Sequence, residues 1–109
     1  MTTAIDQLWS NESTAQLAET LTCIANKNDM QNFLRDVLTE KEIIEISARL
    51  QAAKMLKSGA TYTEIVRATK LSTRTVARIS DWLQNGTGGY SAVLKTIETH
   101  HNHISPARA

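Results

Sequence analysis

The chain has 109 residues, 41% of them hydrophobic, 21% charged and 5% aromatic, and a formal net charge of +1. That length supports one compact core and excludes a multidomain enzyme, so a single domain over residues 1–109 is expected. No run of about 18 apolar residues occurs, and residues 1–10 lack the basic flank and apolar stretch of a secretory signal, so a soluble, cytoplasmic protein is expected.

The one proline is Pro106 and the glycines are Gly59, Gly86, Gly88 and Gly89, which leaves long stretches free of helix breakers. An all-α fold follows. In the first stretch Leu17, Leu21 and Ile24 recur at helical spacing with Ala15 and Ala25 beside them, a stripe that needs a partner surface. Cys23 lies within that pattern and has no second cysteine to pair with, so it reads as a small core residue. Asn28 and Asp29 are expected to interrupt the helix. Met30 to Leu38 then forms a shorter amphipathic piece carrying Met30, Phe33, Leu34, Val37 and Leu38. Residues 1–38 therefore read as N-terminal helices that bury little by themselves.

Thr39-Glu40-Lys41-Glu42 has the form of a capping box and opens a central helix over residues 39–59. Ile43, Ile46, Leu50, Ala53 and Leu56 follow it, and Gly59 supplies the left-handed residue that ends it. Thr61-Tyr62-Thr63-Glu64 repeats the capping box at once, so a short helix with Ile65, Val66 and Ala68 begins there. Thr69 to Leu71 is expected as a turn. Ser72 then caps a third helix from Thr73 to about Gln84, with Val76, Ile79 and Leu83 on one face and Thr73, Arg74 and Ala77 on another. Residues 86–109 read as a flexible Gly-rich link over residues 86–89, a short helix from Tyr90 to about His100 and a frayed tail. His100, His101 and His103 fall there, and a solvated tail is preferred to a metal site, which needs four placed ligands. Glu40, Glu42 and Glu45 are what a helix dipole favours in a first turn. With no neighbouring base or positive group to activate Cys23 as a nucleophile and no Gly-rich phosphate loop, neither a catalytic residue, a metal nor a cofactor is expected, and the chain does not read as an enzyme.

Residues 61–85 have the pattern of a helix-turn-helix: two short helices, a tight turn and a second helix that opens at a serine cap. Charge is segregated around it. Residues 1–48 carry eight acidic and three basic groups, a net −5, whereas residues 49–82 carry seven basic and two acidic groups, a net +5. A basic segment in a near-neutral chain suggests one face that meets a polyanion. The candidate DNA face is Thr63, Arg67, Lys70, Ser72, Thr73, Arg74 and Ala77. Arg74 is the candidate for base recognition, Arg67 and Lys70 for phosphate contacts. Val66 stands where a small residue is common in such motifs and Lys70 where glycine is common. A helix-turn-helix also serves as a packing motif, so a protein-interaction or regulatory module, with its basic helix against an acidic partner, is the alternative.

Thr39-x-x-Glu42 opening a helix with Ala48-Arg49-Leu50, followed by Thr61-Tyr62-Thr63-Glu64-Ile65 and Leu71-Ser72-Thr73-Arg74-Thr75-Val76-Ala77-Arg78, resembles the Trp repressor superfamily. Asn85-Gly86-Thr87-Gly88-Gly89-Tyr90 resembles, more narrowly, its YerC/YecD relatives. The resemblance covers about residues 38–90. It implies an intertwined homodimer whose N-terminal helices share one core, and a sequence-specific, double-stranded DNA-binding regulator of transcription, a repressor. It also implies an effector pocket in which Arg49 and Arg78 match the two arginines that sandwich an indole, and Thr39 and Thr75 match lining threonines. Two positions depart from it. Ile79 stands where tryptophan-responsive proteins have glycine, and Trp82 replaces a pocket serine; both can fill the space a ligand would take. Tryptophan is therefore disfavoured as corepressor, and another small molecule, or none, is left open. Arg49 reads equally well as an ion-pair partner and Arg78 as a phosphate contact.

Overall fold

The computed structural model describes residues 4–104, and among them the regular structure is entirely helical: α1 (Ala4–Ser10), α2 (Glu12–Cys23), α3 (Lys27–Val37), α4 (Glu40–Lys57), α5 (Tyr62–Thr69), α6 (Thr73–Asn85) and α7 (Gly89–Ile104). None of these helices is long and apolar enough to cross a membrane. The chain divides into two compact units whose boundary falls between Ile43 and Ile44, inside the first turns of α4.

In the first unit, polar caps decide where helices start. The Asn11 carboxamide accepts from the amides of Ser13 and Thr14, at 2.8 and 3.2 Å, and starts α2. α1 packs against α2, and the Thr14 hydroxyl ties them by donating to the Leu8 carbonyl. α1 has too few residues to show an apolar period, and the sequence reading did not anticipate it. Asn26 starts α3: its side chain accepts from the Asp29 amide at 2.8 Å and donates to the Asp29 carboxylate at 2.9 Å. Asn28 and Asp29 thus form the first turn of α3 rather than an interruption, because the cap lies two residues before Asn28. At the other end the Arg35 guanidinium donates to the Leu38 carbonyl at 3.2 Å. The capping box that opens α4 is formed, with Thr39 N to Glu42 Oε1 at 2.9 Å and Glu42 N to Thr39 Oγ1 at 3.1 Å.

Neither α2 nor α3 has a buried residue. Leu21, Ile24, Met30, Phe33 and Leu34 are half-buried, while Leu17 and Val37 remain exposed. Cys23 is exposed as well, which corrects its reading as a core residue. The apolar period around it is real, but nothing within the unit covers that position.

The second unit holds the core. Ala52 and Ala53 of α4, Ile65 of α5, Val76 and Ile79 of α6 and Leu94 of α7 form one buried cluster, with Leu50, Met55, Leu56, Val66, Leu71, Leu83 and Tyr90 packed around it. Ala52 and Ala53 are fully buried on α4, and the β-branched Ile65, Val76 and Ile79 fill the same cluster. α4 ends in a Schellman motif: Gly59 has φ 91°, its amide donates to Leu56 at 3.0 Å and the Ala60 amide donates to Met55 at 3.0 Å. α7 starts on Gly88, whose φ is 89° and whose carbonyl accepts from Ala92 at 3.0 Å. The helix continues to Ile104, so the backbone of His100, His101 and His103 is helical, not part of a tail, and the expected four-residue link is shortened to Gly86, Thr87 and Gly88. The stretch expected to fray beyond Ile104 lies outside the described residues.

Candidate nucleic-acid interface

α5, the turn after it and α6 form a helix-turn-helix, and each of its corners is made by a side chain that the backbone requires. α5 opens on a complete capping box, with Thr61 N to Glu64 Oε1 at 2.8 Å and Glu64 N to Thr61 Oγ1 at 3.1 Å. Its buried residue, Ile65, faces Val76 and Ile79 of α6 in the core, and this contact sets the two helices against each other. α5 ends at Lys70, which takes the left-handed conformation (φ 66°, ψ 10°) and donates its amide to the Val66 carbonyl at 2.9 Å. Thr69 sits before it, half-buried, with its hydroxyl donating to the Ile65 carbonyl at 2.7 Å and accepting from the Leu71 amide at 3.2 Å. Ser72 then caps α6, accepting from the Thr75 amide at 3.1 Å.

All seven candidate DNA-face residues are exposed. Thr63 is on the first turn of α5 and Arg67 on its last; Lys70 is at the turn, Ser72 at the cap, Thr73 and Arg74 in the first turn of α6, and Ala77 one turn further on. Helical spacing puts Arg74, Ala77 and Arg78 on one face of α6, opposite the face that buries Val76 and Ile79. The α6 N-terminus has no acidic residue in its first turn. Its free amides and positive dipole end are therefore not offset by a nearby carboxylate, which suits an approaching phosphate.

The four candidate effector residues differ in their local surroundings. Thr39 is engaged in the α4 capping box. Thr75 accepts a hydrogen bond from the Ser72 hydroxyl at 3.0 Å. Arg49 forms an ion pair with Glu45, 3.3 Å away and one turn earlier on α4. Arg78 is exposed on α6. Arg49 does line an open groove of ≈ 580 Å³, together with Ile46, Leu50, Trp82, Thr87, Gly89, Tyr90 and Val93. In that groove α6 contributes Trp82, which is 46% exposed. Ile79 is only 1% exposed and belongs to the core, so the space that a glycine would leave beside α4 is already packed. The sequence pointed to Trp82 in this region but not to Tyr90 beside it, and it gave no sign of the bonding of the Thr69 hydroxyl. Among the described residues no group of three histidine, cysteine or carboxylate side chains could hold a metal ion.

The Trp repressor protein family model matches residues 12–98. The chain is 31% identical over 94 residues to the uncharacterized protein YerC of Bacillus subtilis (strain 168), covering 86% of this chain and 89% of that one. A crystal structure of a candidate Trp repressor from Staphylococcus aureus superposes with a TM-score of 0.80 at 31% identity, covering 89% of this chain and 96% of that one. A TrpR-like protein from Eubacterium eligens ATCC 27750 superposes with a TM-score of 0.77 at 30% identity, over 83% and 93% of the two chains. The capped helix-turn-helix, the all-helical architecture and a match that runs through both make this chain a member of the Trp repressor family, which is a family of regulators rather than of enzymes.

Proposed function

We propose that the protein is a sequence-specific, double-stranded DNA-binding regulator of transcription, a repressor that works as a homodimer by occupying an operator. The observation that carries this reading is the exposed face of the helix-turn-helix. Arg67, Lys70 and Arg74 bring three cations to the last turn of α5, the turn and the first turn of α6, with the Thr63, Ser72 and Thr73 hydroxyls alongside and no acidic residue in that first turn of α6. Cations and helix-end amides bind phosphate, and an exposed arginine in the first turn of a recognition helix can reach base edges in the major groove. Dimerisation is supported by the first unit, where α2 and α3 bury no residue and Leu8, Trp9, Leu17 and Val37 are each about half exposed. A two-fold dimer calls for a palindromic operator with half-sites about one helical turn apart.

Operator binding on this reading needs no tryptophan. Thr39, Arg49 and Thr75 already have partners within the chain, and Ile79 occupies core space. The test is selection of bound duplexes from a random pool at near-physiological salt, with and without a mixture of amino acids. Enrichment of one palindrome in both conditions is expected. Enrichment only with amino acids would restore an effector pocket at Arg49. No enrichment in either condition would overturn DNA recognition and direct the search to an acidic protein partner for the basic face.

A further inference from the structure

The turn of the helix-turn-helix contains a residue whose backbone conformation its own side chain disfavours. Lys70 has φ 66°, the one positive φ outside glycine among the described residues. In that conformation a Cβ crowds the following carbonyl oxygen, a penalty that glycine does not have. Thr69 brackets this residue. Its hydroxyl donates backwards to the Ile65 carbonyl at 2.7 Å, in the last turn of α5, and accepts from the amide of Leu71 at 3.2 Å, on the far side of Lys70. Both ends of the bracket are anchored, since Ile65 is fully buried and Leu71 packs against the same core. The Lys70 side chain is exposed. Glycine would make the same turn without assistance but would carry no charge. Lysine there adds a cation at the bend, between Arg67 at the end of α5 and Arg74 at the start of α6.

We propose that Thr69 is a positioning residue for Lys70: its two-sided hydroxyl clamp stabilises a left-handed turn occupied by lysine, and so holds that cation at the DNA face as a phosphate contact. The phosphate contact rests on the DNA-binding reading above; the clamp does not.

A cycle of T69V, K70G and the double variant, with T69S as the conservative replacement, separates the two parts. Valine keeps the shape and removes both hydrogen bonds; serine keeps both. Without DNA, T69V is expected to lower the folded-to-unfolded ratio by roughly fivefold, and by clearly less in the K70G background, where the turn no longer needs the clamp. Equal losses in the two backgrounds overturn the clamp. With DNA, K70G is expected to reduce the slope of log affinity against log salt by about 0.9, one phosphate contact on duplex DNA. T69V is expected to weaken binding severalfold, T69S to restore it, and T69V to add nothing to K70G. Equal weakening by T69V in both backgrounds would mark Thr69 as merely structural. A parent protein that binds no duplex removes the phosphate contact along with the DNA-binding reading, and the stability cycle still reports on the clamp.

Discussion

Arg74 is exposed in the first turn of α6, on a helix whose opposite side is locked into the core by Val76 and Ile79. A side chain on so fixed a backbone can read a base; a mobile one mainly contributes charge. Arg74→Ala is therefore expected to cost ~1–3 kcal/mol of discrimination between the selected operator and a variant altered at one base pair. Competition binding with the two duplexes measures it, and unchanged preference together with unchanged affinity would remove Arg74 from base recognition. Gly86 carries a second residue-scale prediction. A Cβ built on Gly86 would lie 2.5 Å from the Trp82 ring and 2.5 Å from the Trp82 carbonyl oxygen, which also accepts the Gly86 amide. The ring could swing away, but the carbonyl belongs to the last turn of α6 and cannot move without loosening that turn. G86A is expected to lower stability by about 1–3 kcal/mol, read as a lower urea midpoint. At this scale the capping residues were readable because a hydroxyl followed three residues later by glutamate is a local pattern. The exposure of Cys23 and the bonding of Thr69 were not, because they depend on what other residues place across from them.

Helix beginnings and ends account for most of what was readable at the scale of elements. Thr39, Thr61 and Ser72 all cap as their spacing predicts, and Gly59 ends α4 in the left-handed conformation. Each of these corners satisfies orphan amides or carbonyls with groups only a few residues away. The misjudged boundaries lie where no serine or threonine cap marks the start of a helix or no glycine or proline marks its end. Asn26 caps through its carboxamide, and α7 passes through its histidines without a stop signal before Pro106. Thr61 gives the cleanest test of the local rule, because its box is complete and its side chain has no role in the proposed DNA contacts. Thr61→Ala is expected to cost about 1 kcal/mol, within a range of roughly 0.5–2 for such caps. Urea unfolding should show a lower midpoint at an unchanged slope. A change in slope would mean that the cap shapes the unfolded chain as well as the folded one.

For the whole molecule, a formal net charge of +1 hides an acidic first half and a basic segment around the helix-turn-helix. Hydrophobic burial is segregated in the same way. The second unit contains the buried cluster, whereas α2 and α3 bury nothing and leave Leu17 and Val37 at 51% and 54% exposure. Amphipathic helices of 12 and 11 residues that bury nothing are marginal by themselves, because helical stability in water comes mainly from packing an apolar face. The amphipathic pattern of these helices was visible in the sequence; what covers it was not, since spacing along a helix says that a face is apolar and not what meets it. If a second copy supplies that surface, association and folding of the first unit are one equilibrium. The unfolding midpoint must then rise with protein concentration, each tenfold increase adding about 1.4 kcal/mol per dimer. Leu17→Asp would place a charge in the proposed shared core, and it is expected to yield a monomer by light scattering and to abolish the concentration dependence. The helix-turn-helix of that variant would keep its own core, so weak, sequence-indifferent DNA binding should survive while preference for a palindrome is lost. A midpoint that stays constant over several decades of concentration would show instead that one copy is sufficient, and the apolar face of the first unit would then have to be assigned to a different partner.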